Sequence, residues 1–154
     1  MEIDNCTMDD FNQIRQEINE FWGSDRTLNL HHPMLVYEFG NSAFVIRERD
    51  QVLAYLFGFL SQTGPVAYVH LVGVRQSHRR KHPGQKLYEH FTLFAKAHGC
   101  TSLKAITSLG NTDSIAFHKS LGMQLSGKPN EAGIPMVENY SGTGLDNVVF
   151  VKAL

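Results

Sequence analysis

The chain has 154 residues, 42% of them hydrophobic and 19% charged, so it can bury one core and is not a disordered segment. A formal net charge of −1 gives no global attraction to nucleic acid or to an anionic membrane, and any anion must be recognised locally. Cys6 and Cys100 lie far apart without metal spacing, which suits a reducing compartment and argues against a disulfide framework.

Met1 to Asp10 carries acids and no apolar run, unlike a signal peptide. Val52 to Leu60 is too short to span a bilayer. The expected location is therefore the cytoplasm, with neither a membrane nor a nucleic acid as partner.

Met1 to Cys6 reads as a short strand. Thr7 and Asp10 have the spacing of a capping box, in which each side chain satisfies a free amide at a helix start. Phe11, Ile14, Ile18 and Phe21 then recur at helical spacing up to Gly23, a stop residue. Ser24 to Pro33 is polar and irregular, fitting a short second helix or a substrate loop. Ser42 to Arg47 and Val52 to Leu60 form a hairpin pattern around Glu48 to Gln51, and Val66 to Val74 is a further β-branched strand.

Pro83 to His98 is the clearest helix, with Leu87, Phe91, Phe94 and Ala95 on one face and Gly99 after it. Ser102 to Ser108 reads as a strand. Asn111 or Thr112 caps a helix running to about Leu121, followed by Gly122. Gly127 to Gly144 reads as a long Gly/Pro loop and Asn147 to Lys152 as a last strand. The pattern predicts one domain over residues 1–154 of α/β type (α+β in its segregation), with a mixed central sheet and helices on both faces.

The most informative stretch runs from His70 to Leu87. A buried strand ends near Val74, a basic turn follows, and Pro83 opens a helix at the position where its missing N–H costs nothing. A helix N-terminus offers free amides and partial positive charge, so it suits a phosphate. Arg79, Arg80 and Lys81 add full charges, and Gly84 admits a bulky anion close to the backbone. A solvated basic loop before an ordinary helix is the plain alternative.

Arg79-Arg80-Lys81-His82-Pro83-Gly84, placed after a strand ending in Val, resembles motif A of the GNAT N-acetyltransferase superfamily, with His82 where that family usually has Gly. Asn111, Ser114, Phe117 with His118, and Gly122 with Met123 resemble its motif B, with His118 in the usual place of Tyr. The resemblance implies a GNAT-like acyl-CoA N-acyltransferase fold and acetyl-CoA as cosubstrate. It places Val72, Gly73 and Val74 along the pantetheine arm and Arg79 to Gln85 around the pyrophosphate. It also implies that Asn111, Ser114 and Phe117 contact the same cofactor, although Asn and Ser also cap helices at such positions. Pro83 is expected to push His82 into an extended conformation.

The implied reaction is acetylation of a primary amine by direct attack. His118 is the implied acid for the departing thiolate, since an imidazole with a reference pKa of ~6.5 can replace a phenol there. A base must deprotonate the amine, whose reference pKa is about 10.4. His70 is the first choice, because strand alternation puts it on one face with Val72 and Val74; Tyr68 and Glu38 are the others. The acceptor side is expected from Phe21 to Tyr37 and Asn130 to Asp146, with Trp22, Tyr37 and Tyr140 as lining. The adjacent His31-His32 pair lacks ligand spacing, and no metal is expected. A non-catalytic acyl-CoA sensor and an interaction domain that has lost its cofactor are the rival readings, and a homodimer stays open.

Overall fold

The computed structural model describes residues 2–154. Of the expected first strand, Met1 lies outside them and Ile3–Asn5 forms β1. The capping box at Thr7 is present: Asp10 N–H donates to Thr7 Oγ1 at 3.1 Å, and Thr7 N–H to Asp10 Oδ2 at 2.9 Å. The helix it opens is broken in two. Helix α1 (Met8–Gln16) stops at Glu17 and α2 (Ile18–Trp22) ends on Gly23 in the left-handed conformation. Ser24 to Pro33 contains a 3-10 turn, Leu28–Leu30, followed by α3 (Met34–Tyr37).

The expected hairpin is β2 (Ala43–Glu48) and β3 (Gln51–Leu60), followed by β4 (Val66–Val74). Helix α4 (Pro83–Ala97) leads to β5 (Ser102–Thr107), and α5 (Thr112–Ser120) to the short β6 (Gln124–Leu125). The Gly/Pro segment, read above as loop, holds a small hairpin of β7 (Lys128–Pro129) and β8 (Pro135–Met136) before β9 (Val148–Ala153). The main sheet runs β1-β2-β3-β4-β5-β9-β6, with β4 and β5 parallel and the other pairs antiparallel.

Both faces of this mixed sheet are covered. Phe44, Leu56 and Val69 from the strands meet Leu87, Phe91 and Ile115 of α4 and α5 on one face. Val45, Tyr55, Phe57 and Leu71 meet Phe11, Ile14, Ile18 and Phe21 of α1 and α2 on the other. The apolar i, i+3, i+4 stripe of each helix supplies the burial that holds it there.

Alternation along β4 fails at one place. Phe57 pairs with Leu71 but Gly58 pairs with Val69, so His70 is the extra residue of a β-bulge. The bulge changes which parity of β4 faces which layer. Ala67 and Val69 face α4 before it; Val72 and Val74 do so after it. Tyr68 stacks beside Phe59 and His70 reaches Leu30, both on the α1–α2 side. His70 therefore does not share a face with Val72 and Val74, contrary to simple alternation.

Candidate active site

Strands β4 and β5 pair from Val66 with Ser102 to Val69 with Ala105 and then part. Strand β4 continues to Val74 and β5 to Thr107 without pairing to each other. A wedge therefore opens toward the C-terminal ends of two parallel strands, with the β4 backbone on one wall. Gly73 is required in that wall, because a Cβ there would lie 2.5 Å from the Tyr55 ring.

At the mouth of the wedge, Gln76–Lys81 forms a 3-10 turn and His82 takes φ 55°, ψ 43°. The expected extended conformation of His82 is thus overturned: the residue adopts the left-handed geometry that a glycine would take easily. The strain, about 1–2 kcal/mol for a residue with a Cβ, is tolerated because the turn must swing straight into α4. A right-handed turn followed by a left-handed residue points successive amides into one concavity, an arrangement that binds anions. No side chain caps α4, so the amides of Gly84 and Gln85 in its first turn have no intrahelical acceptor.

Motif B closes on motif A directly. A Cβ on Gly84 would lie 3.1 Å from the Phe117 ring and 3.4 Å from Val74, so a larger residue there would have to push the Phe117 ring back by a few tenths of an ångström. Asn111 Oδ1 accepts from the Ser114 amide at 3.1 Å and caps α5, the role that helix chemistry alone predicts. Arg80 and Lys81 are exposed at the turn. Arg79 is partly committed elsewhere, donating from Nη2 to the Phe21 carbonyl at 3.2 Å. Arg75, which the sequence did not single out, is buried, donating to the Val52 carbonyl at 3.0 Å and to Glu17 at 3.1 Å.

His118 does not stand as an exposed acid. Its side chain is buried, stacked on Phe150 with ring centroids 4.3 Å apart. A carbonyl only accepts, so the 2.7 Å contact with Ser114 O puts the proton on Nδ1. Nε2 then accepts from Tyr88 Oη at 2.7 Å, leaving no N–H to donate. Burial pushes the ring's pKa down, opposed by the Ser114 carbonyl. With both nitrogens engaged inside the protein, the acid role expected for His118 is not supported by this geometry. Tyr88, which the sequence reading did not single out, is its partner.

On the other side of the sheet, His70 Nε2 donates to the Leu30 carbonyl at 3.0 Å, so Nδ1 carries the free lone pair. Tyr68, Phe59 and Phe39 continue from it as a row of rings with centroid spacings of 6.5, 5.1 and 5.4 Å. Trp22 is half-buried, its Nε1 donating to Tyr55 Oη at 2.7 Å. Tyr37 is 67% exposed, Glu38 is exposed, and Tyr140 lies under Lys104 at 4.9 Å. Among the described residues no three His, Cys, Asp or Glu side chains converge as a metal site, and no helix is long and apolar enough to cross a membrane.

The acetyltransferase (GNAT) family model matches residues 8–123, three quarters of the chain and all of the wedge. The chain belongs to the GNAT family. It is an acyltransferase. A curated relative, aminoglycoside N(6')-acetyltransferase type 1 of Acinetobacter haemolyticus, is 26% identical over 69% of this chain and 79% of its own. Ard1 of Thermoplasma volcanium matches 99% of this GNAT chain and 97% of its own, at TM-score 0.76 and 18% identity. The ribosomal-protein-alanine N-acetyltransferase of Brucella melitensis matches over the whole of both chains at TM-score 0.69 and 21% identity. An aminoglycoside 6'-N-acetyltransferase complexed with coenzyme A matches 99% of this chain and 97% of its own at TM-score 0.70 and 14% identity. These likenesses show the fold.

Proposed function

We propose that the protein moves the acetyl group of acetyl-CoA to a primary amine by direct attack. The observation that carries this reading is the wedge between β4 and β5, with the uncapped start of α4 at its mouth. The pyrophosphate would sit on the free amides of Gly84 and Gln85, with Arg80 and Lys81 beside it. The pantetheine would pair with the β4 backbone at Val72 to Val74, and Asn111, Ser114 and Phe117 would face the same arm. Relatives bound to coenzyme A or acetyl-CoA support the choice of cosubstrate.

The chemistry then needs few groups. The amine nitrogen attacks the thioester carbon, and the carbonyl oxygen, gaining negative charge, takes a hydrogen bond from the amide of Val74, since that of Arg75 is held by the Leu53 carbonyl. His70 Nδ1 takes the amine proton. The C–S bond breaks and the thiolate leaves. A thiol of reference pKa ~8.5 is a good enough leaving group to take its proton from water afterwards. A covalent acetyl-enzyme is disfavoured: Cys6 is buried, and burial raises its thiol to a pKa of about 12. The aromatic row from His70 to Phe39 would carry the body of the acceptor. The cytoplasm, with its supply of acetyl-CoA, is the compartment this reading favours.

The test is thiol release from acetyl-CoA across a panel of primary amines. The reading expects amine-dependent release with an equal amount of acetylated product. Tight acetyl-CoA binding without acetylation of any amine would instead favour a sensor.

A further inference from the structure

The α1–α2 face of the sheet holds a second buried histidine that the reaction above does not use. His31 is 1% exposed. Its Nδ1 donates to the Thr27 carbonyl at 2.8 Å, which leaves Nε2 to accept from Tyr55 Oη at 2.7 Å. Tyr55 Oη in turn accepts from Trp22 Nε1. The chain of hydrogen bonds therefore has one direction, from Trp22 through Tyr55 and His31 to the backbone. It ends on the Thr27–His31 turn, whose other side is held by Arg15: Nη1 lies 2.6 Å from His31 O and 3.4 Å from Leu28 O.

That turn presents the Leu30 carbonyl between these anchors, and Leu30 O is the acceptor for His70 Nε2. We propose that His31, held by Tyr55, Trp22 and Arg15, is a positioning residue that fixes the tautomer of His70 through the Leu30 carbonyl. The inference rests on the reading of His70 as the base. With Leu30 O in place, the Nε2–H tautomer is favoured and the Nδ1 lone pair is free. When the amine proton reaches Nδ1, the ring becomes an imidazolium whose Nε2–H still meets a carbonyl, which stabilises the charge it has just gained. Without that carbonyl nothing in the protein holds the proton on Nε2, and the rings that carry it on Nδ1 cannot act as a base.

A structural role for His31 alone predicts a loss of stability and no change at His70. The positioning role predicts a spectroscopic change there. In the whole chain, 15N NMR at a pH where His70 is neutral reads the tautomer directly. Wild type is expected to show His70 protonated on Nε2. Tyr55→Phe, which cuts the chain at its middle, and Arg15→Ala, a surface change that frees the same turn, are both expected to give a tautomer mixture. Both should lower kcat about 10-fold with the KM for acetyl-CoA unchanged. In a His70→Ala background, Tyr55→Phe should cause no further loss of kcat.

An unchanged His70 tautomer in both variants overturns the positioning role. So does a Tyr55→Phe loss that persists undiminished without His70. Wild-type turnover by His70→Ala overturns the reading of His70 as base, and the inference with it; the tautomer spectrum separates that failure from the first.

Discussion

Each face of the sheet buries one histidine in the same hydrogen-bond pattern. His118, on the α4–α5 face, donates from Nδ1 to the carbonyl four residues back and accepts at Nε2 from Tyr88. His31, on the α1–α2 face, does the same with Thr27 and Tyr55. Burial depresses the pKa of both, His31 to about 4. A histidine with both nitrogens satisfied in a dry environment is held neutral and cannot exchange protons with a substrate. His70 differs in one respect that matters: only one of its nitrogens has a protein partner, so it alone of the three keeps a lone pair to spend.

The comparison breaks first at His70. Replacing it with alanine is expected to lower kcat by about 10²-fold or more, the usual worth of a positioned base, with acetyl-CoA affinity kept. Thiol release at saturating amine, beside a direct binding titration, reads both. His118→Phe should behave in the opposite way. It leaves the Tyr88 hydroxyl without its acceptor, which costs about 1–3 kcal/mol in chemical denaturation, while kcat stays within about 10-fold of wild type. A loss of kcat equal to that of His70→Ala would restore His118 as the acid.

The pH dependence of stability follows from His31. Its folded pKa of about 4 lies below the unfolded value, so between the two the unfolded chain binds more protons. Stability should therefore be intact above pH ~6.5 and fall as pH drops toward 4, by about 3 kcal/mol if His31 acts alone. Urea titrations across that range check the slope, and His31→Gln should flatten it. The smallest expected effect is at the wedge mouth. His82→Gly removes the left-handed strain and should stabilise the fold by about 0.5–1 kcal/mol without weakening acetyl-CoA binding. A destabilised or non-binding variant would show that the imidazole itself holds the ligand.

The strand, turn and helix start of the proposed donor half were legible in the sequence because backbone builds them. A strand ending in Val74, a basic turn, Pro83 at a helix start and Gly84 behind it are local patterns, and local patterns fix the direction of amides. The same patterns misled at His82, where the demand of the turn overrode the preference of a residue before proline. The acceptor half was not legible in the same way. The bulge at His70 leaves no mark in composition, yet it moves that side chain to the opposite face from Val72. The Trp22–Tyr55–His31 chain joins residues 33 and 24 positions apart, and only packing of α2 and the Thr27–His31 turn against β3 brings them together. His118 was found by its place in a motif, but whether its nitrogens are free depends on Tyr88, 30 residues away on another helix.

The central claim is that the parted end of β4 and the start of α4 form the seat of acetyl-CoA. Amide hydrogen exchange with and without saturating acetyl-CoA tests it residue by residue. The account predicts slowed exchange at Val72 and Val74, whose amides point away from β3 into the wedge, and at Gly84 and Gln85, with little change along the β1–β2 edge. Unchanged exchange at those amides, with protection appearing instead in the groove between α4 and α5 near Thr92 and Met123, would contradict it.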